Sequence, residues 1–83
     1  INALVYTLRG DIAVEENDLQ SAADLFNKAI EASNDEFTYE NNARKLALVY
    51  GAMGDNDKVQ EVYKNLIAKY PDLKMTYTKY LAE

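Results

Sequence analysis

Three acids close together, Asp55, Asp57 and Glu61, are the part of this sequence nearest to a metal-binding motif. A calcium-binding EF-hand loop that began at Asp55 would need an oxygen ligand at its fifth position and glycine at its sixth. Those positions hold Val59 and Gln60, so we interpret the acids as the capped start of a helix. The sequence therefore predicts no metal site.

The run Gly51-Ala52-Met53-Gly54 has the glycines of a phosphate-binding loop but lacks the GK[ST] continuation and a preceding strand. A helix that ends on a left-handed glycine explains Gly54. The chain has no histidine and no cysteine, which removes imidazole bases, thiolate nucleophiles and the usual zinc ligands. We predict no catalytic residue, no cofactor and no enzymatic activity.

Charge excludes a further class of partner. The 83 residues carry a net charge of -5, and the first 37 hold eight acids against Arg9 and Lys28, whereas nucleic acid requires a basic surface. No apolar run reaches the roughly 18 residues of a membrane span, and no signal peptide is visible. Because the chain begins at Ile1 without a methionine, we expect it to be a fragment of a longer protein.

Helical periodicity runs through the whole chain and predicts an all-α fold. The connections Asn17-Asp18 and Gly54-Asp55 are short enough to force antiparallel helix pairs, in which Asp18 and Asp55 cap the second helix of each pair. Thr38 is expected to cap the third helix. The five predicted helices are Ile1 to about Glu16, a helix after Asp18 with its apolar stripe from Leu19 to Ile30, Tyr39 to about Met53, a helix after Asp55 with its apolar stripe from Val59 to Tyr70, and about Asp72 to Ala82.

Two stretches of similar pattern lie 37 positions apart, residues 17–35 and 54–72. A fixed period of about 20 to 50 residues indicates stacked repeats. We therefore predict an α-solenoid within a single domain, 1–83, composed of repeat 1 (1–35), repeat 2 (38–71) and a C-terminal capping helix (72–83).

The residues at the packing positions resemble those of tetratricopeptide repeats, which are helix pairs of about 34 residues. The matching positions are Tyr6, Gly10, Ala13, Ala22, Phe26, Ala29 and Asn34, and then Ala43, Leu46, Ala47, Tyr50, Val59, Tyr63, Leu66 and Pro71. The resemblance implies close helix contact at Gly10 and Ala47. The longer period is expected to lengthen the loop between Asn34 and Thr38.

Residues 37–83 also resemble the C-terminal part of bacterial envelope tetratricopeptide proteins similar to an ancillary subunit of the Sec translocon. The runs NDEFT, LVYGAMGDNDK, YPD and KYLAE carry this resemblance. It implies a periplasmic location and a membrane anchor upstream of Ile1, and the cytoplasm stays open as an alternative.

The resemblance implies a function as a protein-protein interaction module, in which a partner protein or peptide lies along the concave face formed by the first helices of the repeats. The carboxylate clamp of chaperone adaptors is not matched, because Thr7 and Asp11 stand at its positions. The expected partner-binding residues are Leu4, Thr7, Asp11, Asn41, Arg44, Lys45, Leu48, Met75 and Lys79.

The alternative is a structural segment that associates with itself, as a homo-oligomer, or with further repeats through uncovered terminal helices. The residues expected for this role are Ile1 and Val5 at one end and Tyr77 and Tyr80 at the other. At least about three repeats are normally needed for a stable solenoid, so uncovered ends favour such stacking.

Overall fold

The computed structural model describes residues 2–82, which contain helices and no strand. Four long helices follow one another, and each packs antiparallel on the next. They are α1 (Ala3–Glu15), α2 (Leu19–Glu31), α3 (Glu36–Ala52) and α4 (Asn56–Lys69). The chain then makes a 3₁₀ turn (Pro71–Leu73), one helical turn, α5 (Lys74–Tyr77), and a second 3₁₀ turn (Thr78–Tyr80). The predicted all-α, five-helix solenoid is confirmed.

The two tight turns have the same conformation, which explains why the sequence pattern repeats. Asn17 and Gly54 both adopt a positive φ, of 58° and 77°. The next residues, Asp18 and Asp55, have identical backbone angles and accept backbone hydrogen bonds from Ser21 and Lys58. Both acids cap their helices as predicted, and Gly54 has the expected left-handed conformation.

The third helix starts earlier than expected, and the prediction that Thr38 caps it is wrong. Asp35 caps α3 by accepting hydrogen bonds from the backbone N–H of Thr38 (2.9 Å) and from its hydroxyl (2.7 Å). These donors stabilise the carboxylate and lower the pKa of Asp35. The expected long loop is also wrong: the connection is residues 32–35, and the residues that follow form the first turn of a 17-residue helix.

The core lies between the two layers of helices, with α1 and α3 in one layer and α2 and α4 in the other. Phe26 and Leu66 are completely buried between the layers. A Cβ atom on Gly10 would lie 2.6 Å from Cε1 of Phe26, so glycine lets α1 approach α2 this closely. The close contact expected at Gly10 is therefore confirmed.

The C-terminal segment is not the single helix expected for about 72–82. Residues three apart lie on the same side of a 3₁₀ turn, and this spacing places Tyr77 and Tyr80 together against Tyr63. Their ring centroids lie 5.6 and 5.0 Å from that of Tyr63 in stacked geometry. The side chain of Gln60 holds the end of the segment by donating to the Tyr80 carbonyl and accepting from the Ala82 N–H.

Candidate functional site

Exposed apolar side chains are concentrated on α1 and α3. The two helices that lie behind them, α2 and α4, expose no large apolar side chain in the described residues. Isolated exposed hydrophobic residues are common on protein surfaces, whereas their concentration in one layer makes that layer the candidate interaction surface. The exposed large apolar residues of the four long helices are Leu4, Leu8, Ile12 and Val14 on α1, and Phe37 and Leu48 on α3.

A groove runs between α1 and α3, and its apolar end is a cavity of about 450 Å³. Val14 and Leu48 form its walls, and Phe26, projecting from α2, lies beneath them. Cavities of about 300–1,000 Å³ with mostly apolar walls are typical of ligand sites. This end of the groove is large enough for a bulky apolar side chain.

The other end of the groove is a second cavity, of about 330 Å³, with many neutral polar side chains. Asn2, Asn41 and Thr38 supply hydrogen-bonding groups there, and Leu4 and Phe37 add apolar surface at its edge. Amide and hydroxyl groups can both donate and accept hydrogen bonds. This end is therefore suited to the backbone of an extended chain.

Two polar contacts join α1 to α3 along the groove. The Thr7 hydroxyl donates to Oδ1 of Asn42 at 2.7 Å, and Nζ of Lys45 lies 2.8 and 2.9 Å from the two carboxylate oxygens of Asp11. Thr7 and Asn42 are both buried, whereas the ion pair is about one-third exposed at Lys45 and two-fifths at Asp11. These contacts set the width of the groove.

The structure changes the role of two predicted partner-binding residues. Thr7 is only 6% exposed and its hydroxyl donates to Asn42, but it also lines the polar cavity, so its expected contact with a partner stays a prediction. Lys45 is ion-paired within the chain, which leaves Arg44, exposed one position earlier, as the basic group that α3 presents.

The remaining predicted partner-binding residues fall into two sets. Leu4, Asp11, Asn41 and Leu48 line the two cavities of the groove. Arg44, Met75 and Lys79 are exposed but are not among the lining residues of those cavities, and Met75 is 95% exposed. The structure thus brings together the residues of α1 and α3 and leaves Met75 and Lys79 on the C-terminal segment.

The residues predicted for self-association differ in their exposure. Tyr77 is 4% exposed, so its assignment to an exposed surface is wrong: its ring stacks on Tyr63 and its hydroxyl donates to Glu40. Burial, followed by the hydrogen bond to Glu40, raises the pKa of Tyr77 to about 12. Tyr80 is 46% exposed and Val5 is half-buried, while Ile1 lies outside the described residues.

Phe37, 76% exposed, is a groove residue that the prediction from sequence missed. It precedes Leu48 by 11 residues, which is three turns of a helix, and Asn41 and Arg44 fall between them on the same stripe. Extending α3 to begin at Glu36 would have revealed this stripe.

No helix in residues 2–82 is long and apolar enough to cross a membrane. Within the same residues, no three acidic side chains gather in a way that would hold a metal ion. Asp55, which the sequence analysis assigned to the start of a helix and not to a calcium site, accepts a hydrogen bond from the Lys58 N–H at 3.2 Å as a helix cap.

A comparison with known families bears on the helix pair α1 and α2. Residues 3–36 match the model of the tetratricopeptide repeat. The match spans α1, α2 and the first residue of α3 and supports a tetratricopeptide repeat protein, as the sequence predicted. That family is generally a non-catalytic protein-interaction module. Neither the curated proteins nor the solved structures include a match to this chain.

Proposed function

We propose that this protein is a non-catalytic interaction module and that the groove between α1 and α3 binds a segment of a partner protein. The observation that supports this most strongly is the distribution of exposed apolar residues, which lie on α1 and α3 and not on α2 or α4. A partner that covers these residues would remove apolar surface from water, which favours binding. The groove that they border has cavities of suitable size at both ends.

The chemistry of the groove defines the kind of segment that it would bind. A bulky apolar side chain of the partner would enter the cavity between Val14 and Leu48 and contact the ring of Phe26. Full burial of one such side chain contributes about 1.5–3 kcal/mol. The backbone of the segment would continue towards Asn41 and the neutral polar end, where hydrogen-bonding groups are available.

Arg44 gives the groove a charge preference. It is exposed on α3 and precedes Leu48 by four residues, about 6 Å along the helix. Lys45 is neutralised by Asp11, so Arg44 carries the basic charge beside the apolar end. We expect partner segments to place an acidic residue within one helical turn, or two extended residues, of their bulky apolar residue.

The repeat organisation and the location are further parts of the proposal. Residues 38–71 are proposed as a second tetratricopeptide repeat, which the shared turn conformation at Asn17 and Gly54 supports. The resemblance of residues 37–83 to envelope proteins related to the Sec translocon supports a bacterial periplasmic location. Fractionation of cells that produce the full-length gene product tests this, and recovery with the cytoplasmic fraction would contradict it.

Peptides selected from a random library on the immobilised protein would test the groove. Leu48→Asp, which places a charge in the apolar end, is expected to weaken peptide binding at least tenfold in calorimetry. Leu8→Asp is the matched control, because Leu8 is also an exposed leucine but is not among the residues lining the groove. If the two variants weaken binding equally, or if no peptide is enriched, the proposal fails.

A further inference from the structure

Helix α1 exposes a second apolar surface, on the side opposite α2. Leu8 and Ile12 are 53% and 56% exposed, and Val5 is half-buried beside them. The buried side of the helix, which includes Gly10 and Ala13, faces the other way. We call Val5, Leu8 and Ile12 the α1 outer face.

The internal repeat shows that these positions make contacts between helix pairs. The residues 37 positions after Val5, Leu8 and Ile12, which are their equivalents in α3, are Asn42, Lys45 and Val49. In α3, Asn42 bonds to Thr7, Lys45 bonds to Asp11, and Val49 lines the cavity whose base is formed by α2. The equivalent positions of α1 are all apolar, which favours a dry contact with another helix.

The opposite end of the described residues is partly covered, although Met75 and Tyr80 remain 95% and 46% exposed there. Tyr77 is buried on Tyr63, and both hydrogen-bonding groups of the Gln60 amide are used by the last described residues, Tyr80 and Ala82. A head-to-tail contact between copies would need an open surface at each end. A contact between two copies of the α1 outer face is self-complementary and closes as a dimer, whereas a head-to-tail contact would continue from copy to copy.

The charges of α1 favour an antiparallel arrangement of two such helices. The first turn of α1 has no acid, and its last turn ends in Glu15 and has no base, which is the reverse of what the helix dipole prefers. In an antiparallel pair, Glu15 of each helix would lie beside the positive N-terminal end of the other. The α1 outer face itself carries no charge, so its self-association brings no like charges together.

We propose that two copies of this chain form a symmetric dimer through the α1 outer face, with the two α1 helices antiparallel and the two-fold axis at Leu8. This inference does not depend on peptide binding in the groove, although Leu4, which lies at the edge of the polar cavity, also takes part in the interface. A two-fold axis at Leu8 brings Leu4 of one copy opposite Ile12 of the other. The interface is a single helix pair, so we expect it to dissociate on dilution.

Sedimentation across a range of concentrations tests the dimer. The wild type is expected to rise from its monomer mass of 9.4 kDa to twice that mass as concentration increases. Leu8→Glu places two acids against each other at the axis and should raise the dissociation constant at least tenfold. Leu48→Glu, which changes another exposed leucine (74%, against 53% for Leu8) on α3, should leave the dissociation constant unchanged.

Mixing experiments distinguish a direct contact from a folding defect. Leu8→Glu and Leu8→Lys should each stay monomeric, and their mixture should recover the dimer mass because opposite charges then meet at the axis. Since the chain has no cysteine, a mixture of Leu4→Cys and Ile12→Cys should cross-link faster than either variant alone. Wild type that remains at 9.4 kDa, or equal weakening by Leu8→Glu and Leu48→Glu, would overturn the dimer.

Discussion

The two phenylalanines of this protein illustrate the difference between its two layers of helices. Phe26 on α2 is completely buried, whereas Phe37 on α3 is 76% exposed. The other residues of α2 and α4 show the same pattern as Phe26: apolar residues face inward and polar residues face outward, as expected of helices that stabilise a fold. Helix α1 buries small or polar residues such as Gly10, and α3 buries Leu46 and Val49, but both helices also leave large apolar residues in contact with solvent. The comparison indicates that one layer forms the scaffold and the other offers surface for binding.

Truncation of the two phenylalanines should give the largest contrast. Phe26→Ala removes a completely buried ring and is expected to cost about 3–5 kcal/mol of unfolding free energy. Phe37→Ala removes an exposed ring, and its effect should stay within about 0.5 kcal/mol. Urea denaturation followed by circular dichroism measures both. Similar losses for the two variants would remove the distinction between the layers.

Two glycines allow the same contrast to be made by adding a methyl group. A Cβ on Gly10 would collide with the ring of Phe26, and we expect Gly10→Ala to cost about 1–3 kcal/mol of unfolding free energy. On Gly51 of α3 the nearest atom to a new Cβ is Cγ2 of Val59, 4.0 Å away. Gly51→Ala should therefore stabilise the protein by about 0.5–1 kcal/mol, through helix propensity. A stable Gly10→Ala variant would show that α1 and α2 are not packed this closely.

The C-terminal segment should loosen at alkaline pH. Tyr77 is neutral in its buried site, and its pKa of about 12 lies above the usual value of 10.0. The raised folded-state pKa means that this contribution to stability is complete below about pH 10 and is lost as the pH rises towards 12. Tyr77→Phe keeps the ring and cannot ionise, so its stability should change less over that range. Equal alkaline profiles for the variant and the wild type would contradict this assignment.

Removal of the ion pair on the groove should have the smallest effect on folding. Asp11 and Lys45 are both partly exposed, and pairs of this kind contribute about 0–1 kcal/mol. We expect Asp11→Asn to lower the unfolding free energy by less than about 1 kcal/mol, and less still at high salt. A larger loss would mean that the pair holds α1 and α3 together. A double-mutant cycle with Lys45→Met separates the interaction energy of the pair from the effects of the two single substitutions.

The sequence predicted the scaffold more fully than the binding surface, and the reason lies in the range of the interactions. Asp18, Asp55 and Gly54 act within one turn of chain, and their roles were evident from local pattern. Thr7 was assigned to the surface because its burial depends on Asn42, which lies 35 residues away. Tyr77 was placed on an exposed end because no local signal shows that a 3₁₀ turn would stack it on Tyr63.

Site-specific photocrosslinking in the native cell tests most directly whether the α1–α3 layer binds a partner. A photoreactive residue would replace Leu48 or Arg44 on α3, and, as the control, Lys64 on the exposed side of α4. We predict partner bands from positions 48 and 44 and none from position 64. Equal labelling from α3 and α4, or crosslinks only between copies of the chain, would contradict a binding groove.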